Sequence, residues 1–247
     1  MIYEKFGKII ETMNAKDYDF KKGYQSTYSN VMNRINGKGF TFKEHLSTLI
    51  FAQLSNQRPW KHIEDNRDKL NKIFHDFDIN YLKNADPKQL TSEIISLKCG
   101  NRQIRKQMEN LKVNIETLER IQKDFESIDE YYSSASPYEI INSLSGGKYK
   151  IKQMGMPLVS EYLKGVGVDV IKPDVHVCRI LGRLGYTKHN PATIEEAYTA
   201  CENIAKEYGM LNIEVDSILW QFCANGYFEQ CTSKPNCSKC LVKDCLS

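Results

Sequence analysis

Apolar residues recur every three or four positions through most of the chain. Phe42, Leu46, Leu49, Ile50 and Leu54 form one such set, Leu90, Ile94, Ile95 and Leu97 a second, and Ile104, Met108, Leu111 and Ile115 a third. That spacing lines one face of a helix, whereas alternating patterns that would predict strands are short. Helix breakers fall between the runs: Asn36-Gly37-Lys38-Gly39, Arg58-Pro59, Asp86-Pro87, Cys99-Gly100-Asn101, Ser136-Pro137, Ser145-Gly146-Gly147, Gly165-Val166-Gly167, Lys172-Pro173 and Asn190-Pro191. In Asp86-Pro87 and Ser136-Pro137 a capping side chain precedes a proline suited to a first turn, so both mark helix starts. Counted by this punctuation, the pattern predicts an all-α chain of about ten helices and disfavours a parallel-sheet enzyme.

Composition narrows the class. The 247 residues are 41% hydrophobic and 26% charged, an ordinary globular balance able to bury a sizeable core as one large domain or two lobes. No apolar stretch approaches the roughly eighteen residues of a membrane span, and the start lacks the basic-then-apolar order of a signal peptide. The expectation is therefore a protein of the cytoplasm or nucleoid, without membrane contact. A net charge of only +3 means that any nucleic-acid binding must come from local patches.

Cysteine is the most unevenly distributed residue. Cys99, Cys178 and Cys201 are scattered, as small buried hydrophobes usually are. The other five lie in the last 25 residues, and Cys231, Cys237, Cys240 and Cys245 are separated by five, two and four residues. Four thiolates so spaced can hold a structural zinc or an iron-sulfur cluster, because thiolate is a soft, strongly donating ligand. Zinc sites usually join two Cys-x-x-Cys knuckles. Here there is one such pair, Cys237 and Cys240, with single ligands on each side, which suits a [4Fe-4S] cluster better; zinc is the alternative. Cys223 falls at helical spacing from Leu219 and Trp220 and reads as core.

A second constellation runs from Ile151-Lys152-Gln153-Met154-Gly155-Met156-Pro157 through a helical stretch and a glycine turn to Lys172-Pro173-Asp174-Val175-His176-Val177-Cys178-Arg179. Asp174 stands at the start of a helix, where a carboxylate is favoured by exposed amides; on those residues alone it is a cap.

Taken with the cysteine tail, this order of segments resembles the helix-hairpin-helix DNA glycosylases of the endonuclease III superfamily. Asp174-Val-His176-Val-Cys-Arg179 is similar to the family's Asp-x-His-x-x-Arg segment, and Asn225 to Cys231 resembles the approach to its cluster loop. Leu54-Ser55-Asn56-Gln57 looks like its Leu-Ser-x-Gln, and Gly100 to Ile104 like the loop before a backbone-contacting helix. The likeness runs from about Phe42 to the end. Two cysteine spacings are each a residue shorter than is usual in the family. Leu163-Lys164-Gly165-Val166-Gly167 matches the family's hairpin literally but leaves too few residues for the helix before Asp174. The hairpin is therefore Lys152 to Gly155, with Gln153 in place of its first glycine.

The resemblance implies a two-lobed all-α fold: residues 36–163 as a six-helix lobe with the hairpin, and residues 1–35 plus 164–247 as the iron-sulfur lobe. It implies a monomer that binds double-stranded DNA with a flipped base in a cleft faced by Asp174. Asp174 would then stabilise the sugar cation and orient or deprotonate the attacking water. Gln57 would fill the gap, and Lys152, Gly155, Arg102, Lys234 and Lys239 would contact DNA. Lys98, Arg105, Lys106 and Lys243 are further backbone candidates. Trp60 is a candidate for stacking on the base, with a core role favoured. Where strand-cutting members carry a nucleophilic lysine, this chain has Pro157, which implies a monofunctional glycosylase of base excision repair. Members without the lysine include adenine glycosylases with a further C-terminal domain; the sequence ends two residues after Cys245, so an alkylated, oxidised or mispaired base is expected. The alternatives are a bifunctional glycosylase/lyase using Lys152, Lys164 or Lys172, and a non-catalytic zinc-containing DNA-binding module in which Asp174 is only a cap.

Overall fold

A computed structural model describes residues 2–246, with only the backbone of Lys239. It is all helix, without a strand among the described residues. The chain packs as two compact units, residues 1–32 with 169–247, and residues 33–168.

Two helices begin the chain: α1 (Glu4–Asn14), whose Phe6, Ile9 and Met13 are fully buried, and α2 (Gln25–Ile35). The unit of residues 33–168 continues with α3 (Phe42–Leu54), α4 (Trp60–Asp65), α5 (Arg67–Ile73), α6 (Ile79–Asn84), α7 (Pro87–Ser96), α8 (Ile104–Glu109), α9 (Leu111–Phe125), α10 (Ile128–Ser133), α11 (Pro137–Ser145) and α12 (Met156–Gly165). Its centre is α3, packed against α9 and α12 through Leu46, Leu49, Ile50 and Leu54. A Cβ at Gly165 would collide with Thr48 Cγ2, so glycine lets α12 lie close on α3. The start of α3 is closed by a capping box between Thr41 and Glu44, and that of α11 by Ser136 and Glu139.

The other unit closes with α13 (Val175–Leu184), α14 (Ile194–Tyr208) and α15 (Asn212–Cys223). α15 lies against α13 and α14 and buries Ile213, Val215, Ile218, Leu219 and Phe222. α13 and α14 end at Gly185 and Gly209, whose φ of 74° and 63° is the left-handed stop that glycine takes without strain.

Fifteen α-helices among the described residues correct the expected ten. Four of the additional ends fall at Asn66, Asp78, Asn110 and Ser127, away from glycine and proline, and another at Gly209. Asp78 and Ser127 cap α6 and α10 by accepting the amides of Tyr81 and Glu130. A lone Asp or Ser inside a helical pattern reads as a surface residue, although its side chain competes for backbone donors and starts a new helix.

Candidate functional site

In the unit of residues 33–168, buried amide side chains tie the last turn of α3 to two loops. Gln53, near the end of α3, has its backbone carbonyl accept from Asn101 Nδ2 (2.9 Å) and Gln107 Nε2 (3.1 Å). Its own Nε2 donates to the carbonyl of Lys152 (3.0 Å). Asn114 on α9 grips the same peptide from both sides, accepting from Lys152 N (2.7 Å) and donating to Lys152 O (3.2 Å). Gln53, Gln107 and Asn114 are fully buried and Asn101 nearly so. Buried polar groups are usually paired, and here, Gln53 Oε1 aside, the amides join the last turn of α3 to the loops that precede α8 and α12.

Those loops carry several of the residues singled out above. Gln57, Arg58, Asn101 and Arg102 line one cavity of about 450 Å³. Gln57 sits in the left-handed region at φ 56°, and Arg58 Nε donates to Gly100 O at 2.7 Å. Gln57 and Arg102 are therefore brought together, and Lys152 is held by its backbone with its side chain exposed. Lys98, Arg105 and Lys106 are exposed cations beside Arg102 in sequence. Trp60 is the first residue of α4 and only half-buried, which corrects the core role favoured for it.

The hairpin lies between α11 and α12. Gln153, where the family has glycine, adopts φ 63°, the conformation glycine supplies freely. Gly155 caps α12 with φ −88° and ψ 177°, and a Cβ there would meet only Pro157 Cδ, at 3.9 Å. Its own chain thus leaves Gly155 open on its Cβ side. Pro157 is the second residue of α12, a position where a missing N–H costs nothing. The segment Leu163 to Gly167 forms the end of α12 and the turn after it.

In the other unit, Asp174 caps α13. A single oxygen, Oδ1, accepts from His176 N (2.8 Å) and Val177 N (3.1 Å). His176 Nδ1 lies 3.1 Å from Arg179 Nη2, and burial lowers the imidazole pKa below its ordinary value, with Arg179 and Lys172 opposing the Asp174 charge. The His176 ring meets Trp220 edge-on at 6.1 Å, and Trp220 meets Tyr227 at 4.5 Å. Val175, the first residue of α13, is 71% exposed. Asp174 is thus followed by an aromatic row that sequence reasoning missed. The signal was the Trp220 to Tyr227 spacing across the end of α15, which only the turn at Gly226 brings together.

The other end of α13 holds the cysteine loop. Arg183 Nη1 donates to Thr232 O (2.6 Å) and lies 3.4 Å from Cys231 Sγ, and Nη2 reaches Ser233 O (3.3 Å). Cys231 N donates to Phe222 O at 2.9 Å. Hydrogen bonding from the Cys223 thiol, helped by Arg183 and Arg179, lowers the Cys231 thiol to about 6, and the same contact with burial pushes Cys223 far up. Cys223 is fully buried, Cys240 nearly so, and Cys237 and Cys245 are exposed.

Among the described residues, no three His, Cys, Asp or Glu side chains are gathered to metal-binding distance. The four cysteines of the loop are all free thiols, the donor type that a thiophilic centre would take. Burial raises the thiol of Cys240, and partial desolvation that of the surface Cys245, and both also feel the charges of Cys231 and Cys237. Lys234 is exposed in this loop, its amide donating to Thr232 Oγ1 at 3.2 Å, and the side chain of Lys239 lies outside the described residues.

No family model and no curated protein sequence matches the chain. Two solved structures from Methanocaldococcus jannaschii do. One is an 8-oxoguanine glycosylase/lyase in complex with 15mer DNA containing 8-oxoguanine. It is 23% identical with a TM-score of 0.56, over 87% of this chain and 95% of that one. The other is an 8-oxoguanine DNA glycosylase, 23% identical with a TM-score of 0.57, over 88% of this chain and 92% of that one. The likeness shows that the chain shares the all-helical fold of these two structures. Among the described residues, no helix is long and apolar enough to cross a membrane.

Proposed function

We propose that the chain is a DNA glycosylase that hydrolyses the N-glycosidic bond of a damaged base and leaves the sugar-phosphate backbone intact. The observation that carries this reading is Asp174. One carboxylate oxygen is spent on two helix amides, which fixes the group and leaves Oδ2 to face a developing positive charge or to take a proton from water. The aromatic row of His176, Trp220 and Tyr227 supplies flat apolar surface beside it, as a base taken out of its stack requires.

The amide-tied loops suit the backbone of a DNA duplex. Gln57 would fill the gap and Arg102 and Lys152 would meet phosphates. Gly155 admits a phosphate close to its amide because its Cβ side is open. Lys234 and Lys239 would add charge from the cysteine loop. Cys231, Cys237, Cys240 and Cys245 would hold the [4Fe-4S] cluster, which when bound supplies order to a short loop; zinc is the alternative occupant. The partner is double-stranded DNA, bound by a monomer, and 8-oxoguanine is the first lesion to assay because both structural neighbours are 8-oxoguanine glycosylases.

Pro157 has no amine, so the expected product is an abasic site cleaved only after alkali or heat. A glycosylase/lyase is the second reading, favoured by the description of one neighbour and by exposed Lys152. The test is a panel of single-lesion duplexes, led by 8-oxoguanine opposite cytosine, assayed with and without alkali and with borohydride. The expected outcome is base release, no trapped adduct, and a fall by orders of magnitude in Asp174→Asn with DNA binding kept. Adduct formation that disappears in Lys152→Ala would establish the lyase instead. Full activity in Asp174→Asn would reduce Asp174 to a cap.

A further inference from the structure

The segment that delivers Asp174 to α13 is neither helix nor strand, yet it is largely buried. Val170, Ile171 and Pro173 are covered, and their backbone polar groups must find partners off the segment. α14 and α15 supply them, and the Asp169 carboxylate ties the start of the segment to α15 as well. Asp169 accepts from Asn212 N (3.1 Å) and Ile213 N (2.9 Å), and Tyr198 OH donates to Ile171 O (3.2 Å). Asp216 Oδ1 accepts from Lys172 N at 3.0 Å, and Lys172 O in turn accepts from Asp174 N at 2.7 Å.

Asp216 is the unusual member of this set. It lies inside α15 with 2% exposure, at a position where the helix pattern asks for an apolar residue. An ionisable side chain so buried persists only if it is well paired. We infer that Asp216 is a positioning residue for the reaction: through the Lys172 amide it fixes the turn of residues 172–174 and hence the carboxylate of Asp174.

This inference rests on Asp174 acting at the sugar. Without an acceptor at position 216 the part-buried Lys172 amide loses the bond that Asp216 gives it, the turn relaxes, and a displacement of about 1 Å at a reacting group can cost on the order of a hundredfold in rate. Binding of DNA, which uses other residues, is left unchanged.

The test compares Asp216→Leu, which keeps the volume and removes the acceptor, with Asp216→Asn, which keeps an oxygen to accept from Lys172 N. Single-turnover base release on the duplex that the wild-type protein cleaves best is measured beside DNA affinity and thermal melting. The expected result is a fall of about ten- to a hundredfold in rate for Asp216→Leu at unchanged affinity. Asp216→Asn should stay within about threefold of wild type, because the acceptor is retained. A folded Asp216→Leu at the wild-type rate, or an Asp216→Asn as slow as Asp216→Leu, overturns the inference. Should Asp216→Leu not fold, hydrogen exchange decides: a Lys172 amide protected in the wild type and in Asp216→Asn supports the bond, and one that exchanges freely in the wild type refutes it. Asp174→Asn is run alongside. If it keeps full activity, the glycosylase reading of Asp174 fails, whereas an inactive Asp174→Asn beside a fully active Asp216→Leu sinks only the positioning role.

Discussion

The amide-tied loops of residues 33–168 and the cysteine loop of residues 231–245 are held in opposite ways. The first are cross-braced by Gln53, Asn101, Gln107 and Asn114, each paired with a backbone or another amide inside the protein. The second is held from outside by three single side chains, Arg183 on Thr232 O and Ser233 O, Lys5 on Asp244 O and Thr12 on Leu241 N, none of them paired to another amide, and two of its four thiols are exposed. The first region is organised by the chain itself before any ligand arrives. The second places its most reactive groups where an external centre can gather them, and on our reading takes its order from that centre.

The largest effect should follow from breaking the weaker brace. Cys240→Ser removes the most buried of the four proposed ligands. Metal binding to such a thiolate set contributes on the order of 10 kcal/mol to folding, far more than one hydrogen bond. Iron or zinc content, visible absorption and protection of residues 231–245 from protease should all be lost. Cys223→Ser should keep the metal. A Cys240→Ser protein with full metal content would remove the contrast between the two regions.

Next in size is the brace of the first region. Asn114→Leu leaves the N–H of Lys152 without its partner and its C=O with Gln53 as sole donor, at a cost of about 1–3 kcal/mol, read as a lower urea midpoint with unchanged slope. Because Gln53 donates to the same carbonyl, only the double variant with Gln53→Leu strips that oxygen of both donors, so it should lose more than the two single losses added. Strict additivity would mean that the loops are held independently.

None of this brace was legible in the sequence. Gln53 sits in a helix beside Phe51 and Leu54, and a lone amide there looks like a surface residue; only the apposition of the loops before α8 and α12 shows that it faces inward. The helical class, the starts at Asp86 and Ser136 and the cap at Asp174 were legible, because caps and periodicity act within a few residues. The cysteine tail was legible for the same reason, since all its donors lie in one short stretch. The aromatic row at His176, Trp220 and Tyr227 joins two separate segments, and Asp216 meets its partner across 44 residues, so neither could be read locally.

A smaller effect separates the two units by pH. Asp129 is held by Arg34, whose Nη2 also donates to Val166 O at 2.7 Å; His45 Nε2 lies 3.2 Å away, and Phe40 N donates at 2.6 Å. Burial pushes the carboxyl up, but these three partners outweigh it and hold the group at about 2. Its folded value is thus depressed, so the stabilisation is full above the unfolded value near 4 and is lost as pH falls toward 2. The difference corresponds to about 2 kcal/mol. Asp129→Asn should destabilise residues 33–168 by that amount at neutral pH and flatten the acid limb, with the cysteine loop unaffected. An acid limb as steep in the variant as in the wild type would place the sensitive carboxylate elsewhere.

The smallest expected effect is a gain. Gln153 holds φ 63° in the hairpin, a conformation that costs a residue with a side chain about 1–2 kcal/mol. Gln153→Gly removes that strain but gives the unfolded chain more freedom, which takes back about 0.5–1 kcal/mol. The first term is the larger, so the variant should be more stable by about 0.5 kcal/mol, visible as a slightly higher urea midpoint at the same slope. The sign carries the information. A gain means that the chain pays strain at the hairpin for the glutamine side chain, and DNA affinity that falls in the same variant would identify what that side chain contributes. A loss would mean that Gln153 is held by contacts worth more than its backbone strain, and the hairpin would then be braced by a side chain as well as by Gln53 and Asn114.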